Sequence, residues 1–235
     1  MSTPAARAAG ISLILMAAAA AFSYGYVHSN LVTEGDPGAT SSSLTASPLL
    51  FRAEILGWTL IMVCDIVAAW GLYKVLKPVQ PSLSLLGAWL RLLYTAVLGA
   101  AVSSLVVVSL LTGSSTGAFS GFTANQLETE TMLFLRAFEA VWSVGLIIFG
   151  GHLVIVGILA LWTANVPKII SVLLLLAGAG YIVIHVWRTL WPEAEGLVKG
   201  LEWVFMLPMT AGELGFGIWL LFRAPSPRVR GEAAS

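Results

Sequence analysis

The sequence predicts an all-α fold: a bundle of six transmembrane helices with both termini in the cytoplasm. Three observations carry this prediction. Hydrophobic residues make up 58% of the 235-residue chain and charged residues only 10%, against about a quarter in soluble domains. Six apolar stretches are long enough to cross the ~30 Å hydrocarbon core, which takes about 20 helical residues. Segments rich in proline, glycine and hydroxyl side chains separate them. The expected spans are 8–27, 50–77, 82–111, 130–163, 168–190 and 198–222, inside one integral membrane domain covering 1–235. The lipid bilayer is therefore the first expected partner.

Charge and cysteine content exclude other classes. Twelve basic and twelve acidic residues cancel, so no basic excess points to nucleic acid. Cys64 is the single cysteine, which rules out an internal disulfide or a thiolate metal cluster. Its apolar neighbours mark it as a small buried side chain.

Span 1 has an Ala-rich core that resembles a secretory signal. The apolar run continues through Phe22, Tyr24 and Tyr26, an aromatic interface rather than a small-residue cleavage site, so the span is expected to be retained. Residues His28 to Ser47 read as a polar loop with turn chemistry at Gly35-Asp36-Pro37-Gly38. Span 2 is joined to span 3 by the short linker Pro78-Val79-Gln80-Pro81, which predicts a helical hairpin. In span 3, Gly99, Ala100, Ala101, Ser103 and Ser104 offer a close-packing face.

A Gly/Ser/Thr-rich loop from Thr112 to Gln126 leads to span 4, a stretch longer than a bilayer is thick. A kink is expected at Gly150-Gly151. Pro167-Lys168 opens span 5, whose run LLAGAGYIV reads as a helix-packing surface. Span 6 carries Pro208 in its interior, and residues 223–235 form a basic tail expected to be disordered.

Six crossings put both termini on one side. Arg7, Lys74, Lys77, Lys168, Arg223, Arg228 and Arg230 fall on that side. The opposite loops hold Glu34, Asp36, Glu128, Glu130, Glu193 and Glu195 against Lys199. The positive-inside rule makes the basic side cytoplasmic.

An internal echo links spans 2 and 4. FRAEILGW and LRAFEAVW each place an Arg six residues before a Trp, at Arg52/Trp58 and Arg136/Trp142. Parallel repeats of this kind occur in membrane folds.

The intramembrane charges sort into two tiers by depth. Near the outer boundary lie Arg52, Glu54, Arg136, Glu139, His185, Arg188 and Glu202, as interfacial anchors or as the lining of a charged vestibule. Near the midplane or inner half lie Asp65, Arg91, His152 and Glu213, from spans 2, 3, 4 and 6. Glu54 and Asp65 are eleven residues apart and share a helix face, as do Glu202 and Glu213. Tyr181, His185 and Arg188 follow i, i+4, i+7, and Arg136 and Glu139 form an i, i+3 pair. In the inner tier Arg91 would neutralise one acid and a protonated His152 the other.

Buried ionisable groups either lock helix register or mark ligand and proton sites. The leading reading is a transporter-like or ligand-binding bundle, its protonatable site formed by Asp65, Glu213 and His152 with Arg91 as counter-ion. Its ligand would be small and apolar or amphipathic. The alternatives are an intramembrane enzyme using His152 with a carboxylate as acid/base pair on a lipid-like substrate, and a non-catalytic scaffold in which the charges only set packing. No cofactor is implied. His152, Asp65 and Glu213 would supply an N/O ligand set for a metal, but no HExxH helix or metal-spaced histidine pair accompanies them. GxSxG and phosphate-cradling glycine motifs are absent. Overall the residues lean away from an enzyme.

The segments SPLLFRAEILG, VCDIVAAWGLYKVLKPVQPSLSLLGAWLRLLY, FGGHLVIVGILA, PKIISVLLLLAGAGYIV and GELGFGIWLL, in that order and spacing, resemble a bacterial membrane-protein family known as domain of unknown function family 4386. The resemblance runs from span 2 to span 6. It implies a six-span domain in the bacterial cytoplasmic membrane, and Arg52, Asp65, Arg91, His152 and Glu213 fall at polar positions of the family pattern. It implies no reaction, substrate or cofactor.

Overall fold

A computed structural model describes residues 3–113, 121–191 and 193–223. Helix α1 (Pro4–Ala20) runs into a π-helical segment (Ala21–His28) and the single turn α2 (Ser29–Leu31). There follow α3 (Pro37–Ala46), α4 (Pro48–Leu76), α5 (Pro81–Gly113), α6 (Ala124–Trp162), α7 (Lys168–Leu190) and α8 (Glu195–Arg223). Among the described residues six helices are long and apolar enough to cross a membrane: 4–31, 48–76, 81–113, 124–162, 168–190 and 196–222. The chain is an all-α, multi-pass membrane protein. Arg223 ends α8, and the rest of the tail, with residues 114–120 of the Thr112–Gln126 loop, lies outside the described residues.

Local chemistry sets the helix starts. Pro37, Pro48 and Pro81 are first residues of their helices, where a missing N–H costs nothing and φ is already helical. Asp36 caps α3, its Oδ1 accepting from the Ala39 N–H at 2.9 Å. Gly35 turns the chain into that cap with φ +77°. The segment expected as a polar loop, His28 to Ser47, is therefore largely helical. Asp36-Pro37 is a helix-start signal as much as a turn signal.

The second departure is the π-helical end of span 1. A π turn holds more residues than an α turn and shifts the buried face. Here it buries Ser23, Val27 and His28 and leaves Tyr24 and Tyr26 exposed. His28, expected as the first loop residue, is an interior side chain.

The chain forms two compact units. The first comprises Met1–Met16, Val63–Ala96 and Ser143–Ser235. Its core holds Ala9, Leu72, Leu153, Val156, Leu159, Leu174, Ala177, Phe216 and Leu220. Within it α6 passes through Gly150-Gly151 as continuous helix. Gly150 serves packing: a Cβ on it would stand 2.7 Å from the Gly178 carbonyl oxygen, and one on Gly178 equally close to the Gly150 oxygen. Small residues let helix backbones touch where no water drives association. α8 also runs on through Pro208, which has no N–H for the preceding turn.

The second unit comprises Ala17–Met62 and Val97–Trp142. Val27, Leu31, Leu44, Phe51, Trp58, Leu98, Leu105, Leu135 and Phe138 form its core. In both units large apolar side chains also face outward, among them Leu56, Trp70, Trp89, Leu133, Ile169, Trp203 and Leu207, each at least half exposed. Such a surface suits lipid as the surrounding medium.

Candidate functional site

In the first unit, α4, α5 and α6 bring three of the four inner-tier residues into contact. Arg91 on α5 is 1% exposed. Its Nε–H donates to Asp65 Oδ1 at 2.8 Å, and its Nη2 lies 2.8 Å from the same oxygen. Its Nη1 donates to His152 Nε2 at 3.0 Å, and Nη2 also reaches Met16 Sδ at 3.7 Å. The Phe149 ring covers the guanidinium, with Cζ 5.3 Å from its centroid, a cation–π contact.

The guanidinium has donors only, so His152 Nε2 is an acceptor. The other ring nitrogen, Nδ1, lies 2.8 Å from the Gly87 carbonyl oxygen and donates to it. Donor and acceptor roles thus assign His152 as the neutral Nδ1–H tautomer. The expectation that a protonated His152 balances the second acid does not fit this geometry. Arg91 already occupies the nitrogen that would carry the extra proton.

Among the described residues no hydrogen bond or ion pair joins Glu213 on α8 to the triad. Glu213 accepts a hydrogen bond from the Tyr181 hydroxyl at 3.1 Å and lies within electrostatic range of Arg91 and Asp65. Rings link the two parts: Phe149 packs against His152 at 5.8 Å and edge-on to Tyr181 at 5.3 Å between centroids. Asp65, His152 and Glu213 do not converge as metal ligands; among the described residues no three His, Cys, Asp or Glu side chains do. One atom stands out. Asp65 Oδ2 is buried with no hydrogen-bond partner, although a buried carboxylate oxygen without a donor is costly.

The outer-tier residues do not form one group. In the first unit, His185 is buried, its Nδ1 2.8 Å from Ser143 Oγ, and stacks on Tyr181 one turn away. Arg188 and Glu202 form an ion pair at 2.5 Å with side chains 43% and 44% exposed. In the second unit Arg52 and Arg136 are exposed. Glu54 is fully buried, and its Oε1 accepts from His28 Nδ1 at 2.8 Å and from Trp58 Nε1 at 3.3 Å. Glu139 does not pair with Arg136 among the ion pairs of the described residues. Its Oε1 faces His28 Nε2 at 3.7 Å.

The echoed segments thus meet in the second unit. Trp58 and Trp142 pack edge to face at 4.9 Å, and Glu54 and Glu139 flank the same imidazole.

Sequence reasoning missed His28, Met16 and the Gly87 carbonyl. The signal for His28 was the continued helical phase after Tyr24, since the two rings stack at i, i+4 with centroids 5.2 Å apart. Nothing marks Met16 out from a lipid-facing methionine.

Residues 8–224 match the model of the family described as Domain of unknown function (DUF4386). A protein of Archaeoglobus fulgidus, bearing the name "Uncharacterized protein", is 26% identical over 180 residues, covering 77% of this chain and 88% of the relative. No solved structure matches the chain. With nearly its whole length inside the match, the chain belongs to the family of domain of unknown function 4386.

Proposed function

We propose that the chain is a transporter-like or ligand-binding bundle whose protonatable site is Asp65, Arg91, His152 and Glu213. It would act as a single domain in a bacterial cytoplasmic membrane, with both termini inside, on a small apolar or amphipathic ligand. The observation that carries this reading is the charge count of the cluster, in which Asp65, Arg91 and His152 are buried and Glu213 half-buried. One guanidinium serves Asp65 and a neutral imidazole, while among the described residues Glu213 receives only a phenol hydroxyl. An intramembrane acid without its own cation satisfies burial by taking up a proton or a cationic ligand. A pure packing lock needs only the first acid. The orphan Asp65 Oδ2 further supports a site that takes up a proton, a water or a ligand group.

The test is proton movement in proteoliposomes loaded with a pH-sensitive dye, with wild type beside Asp65→Asn and Glu213→Gln. The expected result is a flux or a ligand-stimulated flux in wild type that falls at least tenfold in both variants. Candidate ligands are lipophilic cations and medium-chain fatty acids. A wild-type protein silent across that panel, or a flux indifferent to both substitutions, overturns the proposal.

A further inference from the structure

We propose that Glu139, His28 and Glu54 form a proton relay in the second unit, passing protons between a partly exposed carboxylate and a buried one through the imidazole. Three observations carry it. The first is the order of burial along the line. The Glu139 side chain is 42% exposed, His28 6% and Glu54 0%. The second is the use of both ring nitrogens, with Nδ1 2.8 Å from Glu54 Oε1 and Nε2 3.7 Å from Glu139 Oε1. An imidazole with an oxygen at each nitrogen can take a proton on one side and release one on the other. The third is incomplete satisfaction. Glu54 Oε2 and His28 Nε2 are buried without a hydrogen-bond partner, whereas a finished ion-pair lock would leave neither open.

Charge counting points the same way. Among the described residues, Glu54 from α4 and Glu139 from α6 are the charged groups that act on His28. Its own segment presents Tyr24, and α6 adds the Phe138 ring, 5.7 Å away. Arg52 and Arg136 point outward from the same two helices. Two carboxylates against one imidazolium leave one negative charge, which a further proton neutralises. Tyr24, Trp58, Phe138 and Trp142 pack ring to ring beside the line, a sheath that favours passage through His28. The π-helical segment supplies the geometry, as π turns often do at functional sites.

The transfer step balances. Starting from the Nδ1–H imidazole, the O–H bond of Glu139 breaks as an N–H bond forms at Nε2. The Nδ1–H bond breaks as an O–H bond forms on Glu54 Oε1. Total charge is unchanged, and rotation of the ring resets the tautomer. Glu139 must close from 3.7 Å to hydrogen-bond distance, a side-chain movement at a half-exposed position.

The experiment uses the full chain in nanodiscs with ¹⁵N-labelled histidine. The chain has three histidines, so His152→Asn and His185→Asn assign the His28 signals. In wild type, both His28 ring nitrogens are expected to titrate between pH 4 and 10. In Glu139→Gln the midpoint should move by about one pH unit or more, a tenfold change in the protonation equilibrium. Glu139→Asp should restore part of the wild-type profile. Because Glu139 is partly exposed, these variants should keep the fold; thermal unfolding of the same samples verifies it. A His28 that stays in one protonation state throughout is a static ion pair and overturns the relay. So does a His28 that titrates identically in wild type and Glu139→Gln. Neither outcome bears on the Asp65 cluster, whose flux test stands apart.

Discussion

Arg91 stands at the centre of the first unit's polar cluster because its guanidinium serves Asp65 and His152 at once. Arg91→Met leaves Asp65 buried without its cation and should destabilise the protein by about 3–5 kcal/mol. The double variant Asp65→Leu/Arg91→Met removes both charges and should recover most of that loss while losing any proton-linked activity. Thermal unfolding in detergent measures the first part. A double variant as unstable as the single one would show that Arg91 acts through Met16, Phe149 or His152 and not through the carboxylate. At this scale the sequence was informative about depth and helical phase. It placed Asp65, Arg91, His152 and Glu213 in one tier; Asp65 and His152 each touch Arg91, and Glu213 pairs with Tyr181. It could not indicate tautomers. That the proton of His152 sits on Nδ1 follows from a main-chain oxygen at Gly87, which no residue type announces. His28 was obscured because a π turn changes which residues face inward.

Between elements, α6 and α7 approach backbone to backbone in the first unit. The built Cβ of Gly178 meets the Gly150 oxygen at 2.7 Å, and Val154 Cγ2 and N at 2.8 and 2.9 Å. Backbone atoms cannot swing aside, so even Gly178→Ala should cost about 1–3 kcal/mol by overpacking, and Gly178→Leu should abolish recovery of folded protein. Gly200 on α8 provides the control, since a Cβ there meets nothing within 4 Å. Gly200→Ala should be neutral or slightly stabilising, because alanine is the better helix former by about 1 kcal/mol. Unfolding temperatures of the three variants against wild type decide it, and equal losses at Gly178 and Gly200 would refute the packing argument. The LLAGAGYIV run already indicated a packing surface. At Gly150 the absence of a side chain that would permit a bend also permits contact, and α7 uses the contact.

For the whole molecule, the even number of spans and the placement of charge make orientation the property to test. Lys74 lies in the last turn of α4, Lys77 follows it, and Lys168 opens α7. Arg7 is in the second turn of α1. Across the alternate loops the charges are Glu34, Asp36, Glu128, Glu130, Glu193 and Glu195 against Lys199. Basic residues close to helix ends resist translocation, whereas acidic residues contribute little. The first set should therefore stay in the cytoplasm, together with both termini. A green fluorescent protein fused after Ser235 should fluoresce, and an alkaline phosphatase fused there should be inactive. The same reporters inserted after Gly35 should give the opposite pair of results. Substituting Lys74, Lys77 and Lys168 together by Gln should weaken the bias and yield a mixed population at both sites. A phosphatase active after Ser235 in the unmodified chain would invert the assignment. It would also place the Lys74/Lys77 hairpin on the outer face, against the charge rule.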